Sequence, residues 1–156
     1  MIVSYYEGAV QYPRTDLRED ELLEGFEIAQ NYQRFFEQVP VKGTIEFLPR
    51  IPGAGFLQNC QADLAIGRAL FEVKTVSRNL ASKDLRQLII YLALQAATGD
   101  RKWNVGGFFN PRKDDYLQFG IDEVIAQFSK GRSSSEVYHS LIDFVSSSDV
   151  QFDTAF

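Results

Sequence analysis

The sequence predicts an α/β domain whose elements run helix, three strands, helix, strand, with two further helices towards the C-terminal end. Three observations carry that reading. Across residues 62–76 (ADLAIGRALFEVKTV), two short apolar runs flank Gly67-Arg68, and a Gly-X pair is the two-residue loop of a type II′ hairpin. Over 15–38 the apolar residues Leu22, Leu23, Phe26, Ala29, Tyr32, Phe35 and Phe36 recur at steps of three and four, the helical period. Over 82–98 the chain is apolar nearly all round, as a helix buried against a sheet requires.

The elements follow in order. Residues 1–14 supply a short strand or arm closed by Pro13. The first helix takes Thr15 or Asp16 as its cap, sets Glu19, Asp20 and Glu21 against the positive end of its dipole, and stops before Pro40. Residues 44–48 (TIEFL) read as a strand, and the run after it, with Pro49, Pro52, Gly53 and Gly55, as a constrained loop. The hairpin adds two strands. Ser82 caps the second helix, which Gly99 terminates. Residues 103–109 form a strand stopped by Asn110-Pro111-Arg112. Amphipathic helices follow at 121–128 and 136–145, the second with Ser133 at capping-box distance from Glu136.

Composition bounds what such a chain does. At 156 residues, 45% of them apolar, residues 1–156 are expected to form a single domain with a full core. No apolar run approaches membrane-spanning length, and the first residues show no basic start leading into an apolar stretch. Cys60 is the only cysteine, which excludes an internal disulfide and a Cys-based zinc site. A cytoplasmic protein is expected. The net charge of −5 conceals a basic middle: 68–113 carries nine of the sixteen basic residues and only the acids Glu72, Asp84 and Asp100. That local sign suits phosphate, and Arg78, Lys83, Arg86 and Arg112 are its candidate nucleic-acid contacts.

The hairpin also fixes a register. With Gly67-Arg68 as the loop, Ile66 faces Ala69, Ala65 faces Leu70, Leu64 faces Phe71 and Asp63 faces Glu72; alternation places Lys74 on the same face as the last pair. Opposed carboxylates repel, and a divalent cation between them with an ammonium alongside removes the objection. In the second helix, Gln87 and Tyr91 stand four apart and share a face; a glutamine within so apolar a helix needs a hydrogen-bonding partner.

Asp63 followed by Glu72-Val73-Lys74 resembles the PD-(D/E)XK, or restriction-endonuclease-like, nuclease superfamily, although Ala62 stands where many members have proline. The αβββαβ order is the core of that fold (a mixed sheet flanked by helices). The resemblance runs from about residue 15 to 112 and leaves the two C-terminal helices outside it. Gln87-x-x-x-Tyr91 is similar to the RecB-like and Cas4-like branch, without the Cas4-like cysteines. The resemblance implies a nuclease using Mg²⁺ or Mn²⁺, with Asp63, Glu72, the Val73 carbonyl and Glu27 as metal ligands. Glu24 and Glu46 are alternatives to Glu27, which stands in a Gly25-Phe26-Glu27 run on the first helix. It implies Lys74 stabilising charge or taking a proton, Gln87 bracing it and Tyr91 beside the substrate backbone. His139 and Cys60 read as ordinary surface and packing residues. The PGAG loop, DLRQ and NPR are similar to nuclease modules of prokaryotic defence or mobile-element systems, so DNA, a protein partner or a second copy are the expected partners. A protein that keeps the fold without activity, as a nucleic-acid-binding or assembly subunit, is the alternative.

Overall fold

The computed structural model describes residues 18–54 and 57–146. The N-terminal arm, the cap at Thr15 or Asp16, Gly55 and the tail beyond 146 lie outside the described residues.

Helix α1 (Glu19–Gln38) begins as the acidic first turn dictates: the Glu21 carboxylate accepts the Arg18 backbone N–H at 2.9 Å. It ends where Pro40 removes the next donor, after the Val39 N–H has closed on the Phe35 carbonyl at 2.8 Å. Strands β1 (Ile45–Phe47), β4 (Leu64–Ile66), β5 (Ala69–Val73), β6 (Val105–Asn110) and β7 (Asp115–Gly120) form one mixed sheet in the order β1-β4-β5-β6-β7. β5 and β6 are parallel, joined through helix α2 (Ser82–Ala97), and every other pairing in this sheet is antiparallel. Helices α3 (Ile121–Phe128) and α4 (Ser134–Ser146) complete the described chain.

The pleat sends alternate side chains of β4 and β5 to opposite faces. Leu64, Ile66, Ala69 and Phe71 meet Phe35 and Val39 of α1 on one face. Phe35 stacks on Phe109 at 4.1 Å and meets Phe71 edge-on at 5.2 Å. On the other face Ala65, Leu70 and Phe108 meet Leu88 and Leu92 of α2, with Ile121 and Ile125 of α3 and Tyr138 of α4 behind. Gly107 sits directly under the Phe71 ring, where a Cβ would come within 2.2 Å of it.

Four expectations are corrected. The stretch after β1 is not simply a loop but contains a small hairpin, β2 (Arg50–Ile51) paired with β3 (Cys60–Gln61), with Ile51 between Pro49 and Pro52 reaching the core. The sheet does not end at Asn110-Pro111-Arg112, which turns the chain into a further strand, β7, with Asp114 at φ +50°. The N-cap of α2 is Ala81, not Ser82, since the Asp84 carboxylate takes the Ala81 N–H at 2.8 Å. Leu22, Leu23 and Phe26 continue the apolar stripe of α1 yet are more than half exposed. A 20-residue helix is about 30 Å long, and only its C-terminal half has sheet beneath it.

The helices α3 and α4 stand as the periodicity predicts. Ser133 and Glu136 make the reciprocal capping bonds, Ser133 N–H to Glu136 Oε2 at 2.8 Å and Glu136 N–H to Ser133 Oγ at 3.3 Å. Among the described residues no helix is long and apolar enough to cross a membrane.

Candidate active site

The site begins with the turn between β4 and β5. Gly67 has φ +53°, and a Cβ there would meet the Lys42 carbonyl at 2.6 Å, so both conformation and crowding demand glycine. The pairs Leu64–Phe71, Ala65–Leu70 and Ile66–Ala69 are observed. The expected Asp63–Glu72 pair is not part of the ladder: Asp63 lies in a bend just before β4, and its side chain reaches one residue beyond Glu72, Oδ2 accepting the Val73 backbone N–H at 2.7 Å. Asp63 is thereby tied to the strand that carries Glu72 and leads into Lys74. Val73 itself turns its side chain to the α1 face.

Glu72 is 1% exposed, and its two oxygens differ in circumstance. Oε2 accepts the Lys74 ammonium at 3.1 Å, while the buried Oε1 has no hydrogen-bond partner among the described residues. Burial first, and the Asp63 charge second, push its carboxyl up to about 7, against the opposing pull of Lys74. The Lys74 ammonium also donates to Gln87 Oε1 at 3.0 Å, and Gln87 Nε2 donates to the Tyr91 hydroxyl at 3.0 Å. The amide of Gln87 is therefore held at both ends, which is how α2 accommodates it. The Tyr91 phenol is raised by burial, with the Gln87 bond opposing and the Glu72 charge adding to the rise. The structure thus gathers Asp63, Glu72, Lys74, Gln87 and Tyr91 at the junction of β5 and α2.

It does not gather the rest. Glu27 is exposed on α1, Glu24 pairs with Arg112 at 2.6 Å, and Glu46 pairs with Lys102 at 2.9 Å. Among the described residues no group of three or more His, Cys, Asp or Glu side chains is placed to hold a metal ion, so Glu27 does not join Asp63 and Glu72. The reason is packing: α1 covers the opposite face of the sheet from α2. Arg78 and Arg112, expected to meet nucleic acid, are paired internally, Arg78 with Asp84 and Arg112 with Glu24. Lys83 and Arg86 are exposed on α2, and neither side chain makes an ion pair or hydrogen bond among the described residues. His139 is exposed and pairs with Asp143 on α4; Cys60 is half-buried on β3, its thiol raised by burial and then by Glu72.

Asp84 belongs beside the site although the sequence motif does not include it. It is 3% exposed and accepts Arg78 Nη1 at 2.7 Å and Nη2 at 2.9 Å, beside the Ala81 bond. Lys74 Nζ lies 4.0 Å from its Oδ1. The sequence carries one signal for it: an acid in the first turn of α2, inside an otherwise basic segment.

No family model, curated protein or solved structure matches this chain. The site's own residues therefore carry the functional reading.

Proposed function

We propose that the chain is a metal-dependent nuclease with a restriction-endonuclease-like core, hydrolysing phosphodiester bonds of DNA. The observation that carries the proposal is Glu72 Oε1, a carboxylate oxygen without solvent or hydrogen-bond partner, beside a second carboxylate. A protein interior seldom leaves such an atom orphaned. Asp63 and Glu72 offer the hard oxygen donors that Mg²⁺ or Mn²⁺ prefers, and the Val73 carbonyl is the third candidate. The donor set fits such an ion. Bound there, a divalent cation supplies Lewis-acid stabilisation of phosphoryl oxygens and a more acidic water.

The chain's own residues do the remainder. Lys74 presents a fixed positive charge where negative charge grows on the phosphate, worth most in a site screened from water. Gln87 aims that ammonium: Lys74, which can only donate, selects the amide oxygen, and the Nε2 bond to Tyr91 holds the other end. Tyr91 accepts from Gln87 and keeps its own proton for a phosphate oxygen. Lys83 and Arg86 on the same helix supply unpaired charge for the backbone.

That no third carboxylate among the described residues is placed to share a metal ion with Asp63 and Glu72 favours a second reading, a nuclease-fold protein that binds nucleic acid without cutting it. One experiment separates them: Mg²⁺-dependent cleavage of linear, circular and single-stranded DNA by the wild type and Lys74→Ala. Cleavage lost in the variant supports the nuclease; binding without cleavage in both supports the second reading.

A further inference from the structure

We infer that Asp84 is a positioning residue for Lys74, acting through an ion-paired clamp with Arg78 that sets the path from β5 into α2. This rests on the proposed function and adds to it a residue that touches neither substrate nor metal ligand.

The geometry of the connection carries the inference. Lys74 is the first residue after β5, and α2 begins eight residues later at Ser82. Residues 75–80 between them are exposed, so little packing fixes where the loop runs. Besides the Asn110 side chain, which donates to the Val76 carbonyl at 2.8 Å, two groups tie down its ends. The Lys74 N–H donates to Phe109 O at 2.8 Å at one end, and Asp84 seizes the other. The Asp84 carboxylate binds the Arg78 guanidinium bidentately and the Ala81 N–H together, from a position almost wholly removed from solvent. A planar fork on a carboxylate fixes orientation as well as distance. Arg78 also donates to the Asn79 carbonyl at 2.8 Å, folding the loop onto itself.

The same carboxylate faces the site. Lys74 Nζ stands 3.1 Å from Glu72 and 3.0 Å from Gln87, its two hydrogen-bond acceptors, and 4.0 Å from Asp84, an ion-pair contact on a third side. With only the first two, the ammonium is free to swing with the flexible stem. Asp84 supplies the third direction, and it sits one helical turn before Gln87, so whatever moves Asp84 moves the glutamine too. A simple capping role explains the Ala81 bond. It does not explain a doubly bonded arginine or a carboxylate directed at the active-site lysine.

Asp84→Asn separates the two roles, because an asparagine retains an oxygen for the Ala81 N–H while losing the charge. The measurements are kcat and KM on DNA with Mg²⁺, the dissociation constant for DNA in Ca²⁺, the thermal midpoint, and the ¹H–¹⁵N signal of the Lys74 ammonium. Arg78→Gln and Arg78→Lys are compared in parallel. In Asp84→Asn, kcat is expected to fall by roughly tenfold to a hundredfold, the scale of a misplaced catalytic group. KM and DNA affinity should stay near wild type, while the midpoint falls with the lost Arg78 ion pair. Arg78→Gln should reproduce the loss of kcat, and Arg78→Lys should recover part of it. An Asp84→Asn protein with wild-type kcat, or one whose kcat falls only as its folded fraction falls, overturns the inference. If the wild type does not cleave at all, the nuclease reading fails and the ammonium signal decides this one separately. A sharp Lys74 signal that broadens or vanishes in Asp84→Asn upholds the clamp, and an unchanged signal overturns it.

Discussion

Asp63 Oδ2 accepts the Val73 backbone N–H at 2.7 Å, so a carboxylate takes the place of a backbone acceptor at the open end of the β4–β5 ladder. The two functions of that carboxylate are separable. Asp63→Asn keeps an oxygen for the amide and should leave the thermal midpoint nearly unchanged. Asp63→Ala strands the amide and should destabilise by about 1–3 kcal/mol. Both should abolish cleavage. Asparagine should also lower the Glu72 carboxyl from about 7, since the Asp63 charge is one cause of the rise. Urea melts and a carboxyl titration by NMR check each half.

Glu72 makes stability depend on pH in an unusual direction for an acid. The unfolded chain releases this proton near 4.5, whereas the folded chain holds it until about 7. Between those values the native state binds more protons, so stability falls as pH rises through the window. The difference bounds the effect at roughly 3 kcal/mol at about 1.4 kcal/mol per pH unit. Glu72→Gln should remove this slope, gain stability above pH 7 and lose cleavage. Urea midpoints at pH 4.5 and 8 that shift equally in both proteins would contradict the assignment.

Lys74→Ala should lower kcat by at least about a hundredfold while DNA binding in Ca²⁺ changes little, because its charge acts on the transition state. Mg²⁺ and Mn²⁺ should support turnover and EDTA should stop it. Ca²⁺ should bind yet support little cleavage, since it accepts looser geometry. Full activity in EDTA would rule out the chemistry.

The internal ion pairs of Arg78 and Arg112 leave, of the four candidate contacts of the proposed nucleic-acid face, Lys83 and Arg86 of α2. Lys83→Glu and Arg86→Glu should weaken DNA binding across sequences and reduce the salt slope by about one for each phosphate that is no longer neutralised. Lys130→Glu and Arg132→Glu should matter much less; Arg132 is already bonded to the Glu136 carbonyl and Ser140. Equal weakening by the two groups, in titrations at low and moderate salt, would show that α2 is only a solvated surface.

Gly107→Ala tests the sheet beneath the site. Its Cβ would strike the Phe71 ring, so destabilisation of at least about 1–3 kcal/mol is expected from overpacking. Phe71 precedes Glu72, and cleavage should fall further than the lost folded fraction accounts for. Denaturation read beside kcat checks both.

The local part of the site is legible in the sequence and the non-local part is not. Gly67-Arg68 fixes the hairpin register from Leu64–Phe71 to Ile66–Ala69 by turn chemistry alone, and Asp63, beyond that ladder, is held instead by its side-chain bond to the Val73 amide. Gln87 is readable because a polar residue in an apolar helix needs a partner, and the structure supplies Lys74 and Tyr91. Arg78 and Arg112 are not, because a charge count says nothing about which acid lies across the fold. The same limit hides Asp84 and misplaces Glu27. Strand β7 escapes because Leu117 is exposed and its neighbours only half-buried, which blurs the alternation. At Leu22, Leu23 and Phe26 the helical period holds while burial does not, since period is a property of the helix and burial of what lies against it.

The parallel pairing of β5 with β6 governs when a growing chain acquires these properties. The hairpin closes among near neighbours, but Val73 meets Phe109, 36 positions later. At ribosomal speeds of about 5–20 residues per second, one edge of β5 stays bare for roughly 2–7 s after its own synthesis. During that interval Phe109 does not yet pair with the strand and the Lys74 amide lacks its acceptor, and until α2 emerges, within the first 24 positions after Val73, Glu72 is an ordinary wet carboxylate. The orphaned oxygen and the late-titrating proton are thus absent from the nascent hairpin and arise as α2 and β6 dock on it, which makes them a marker for that step of folding.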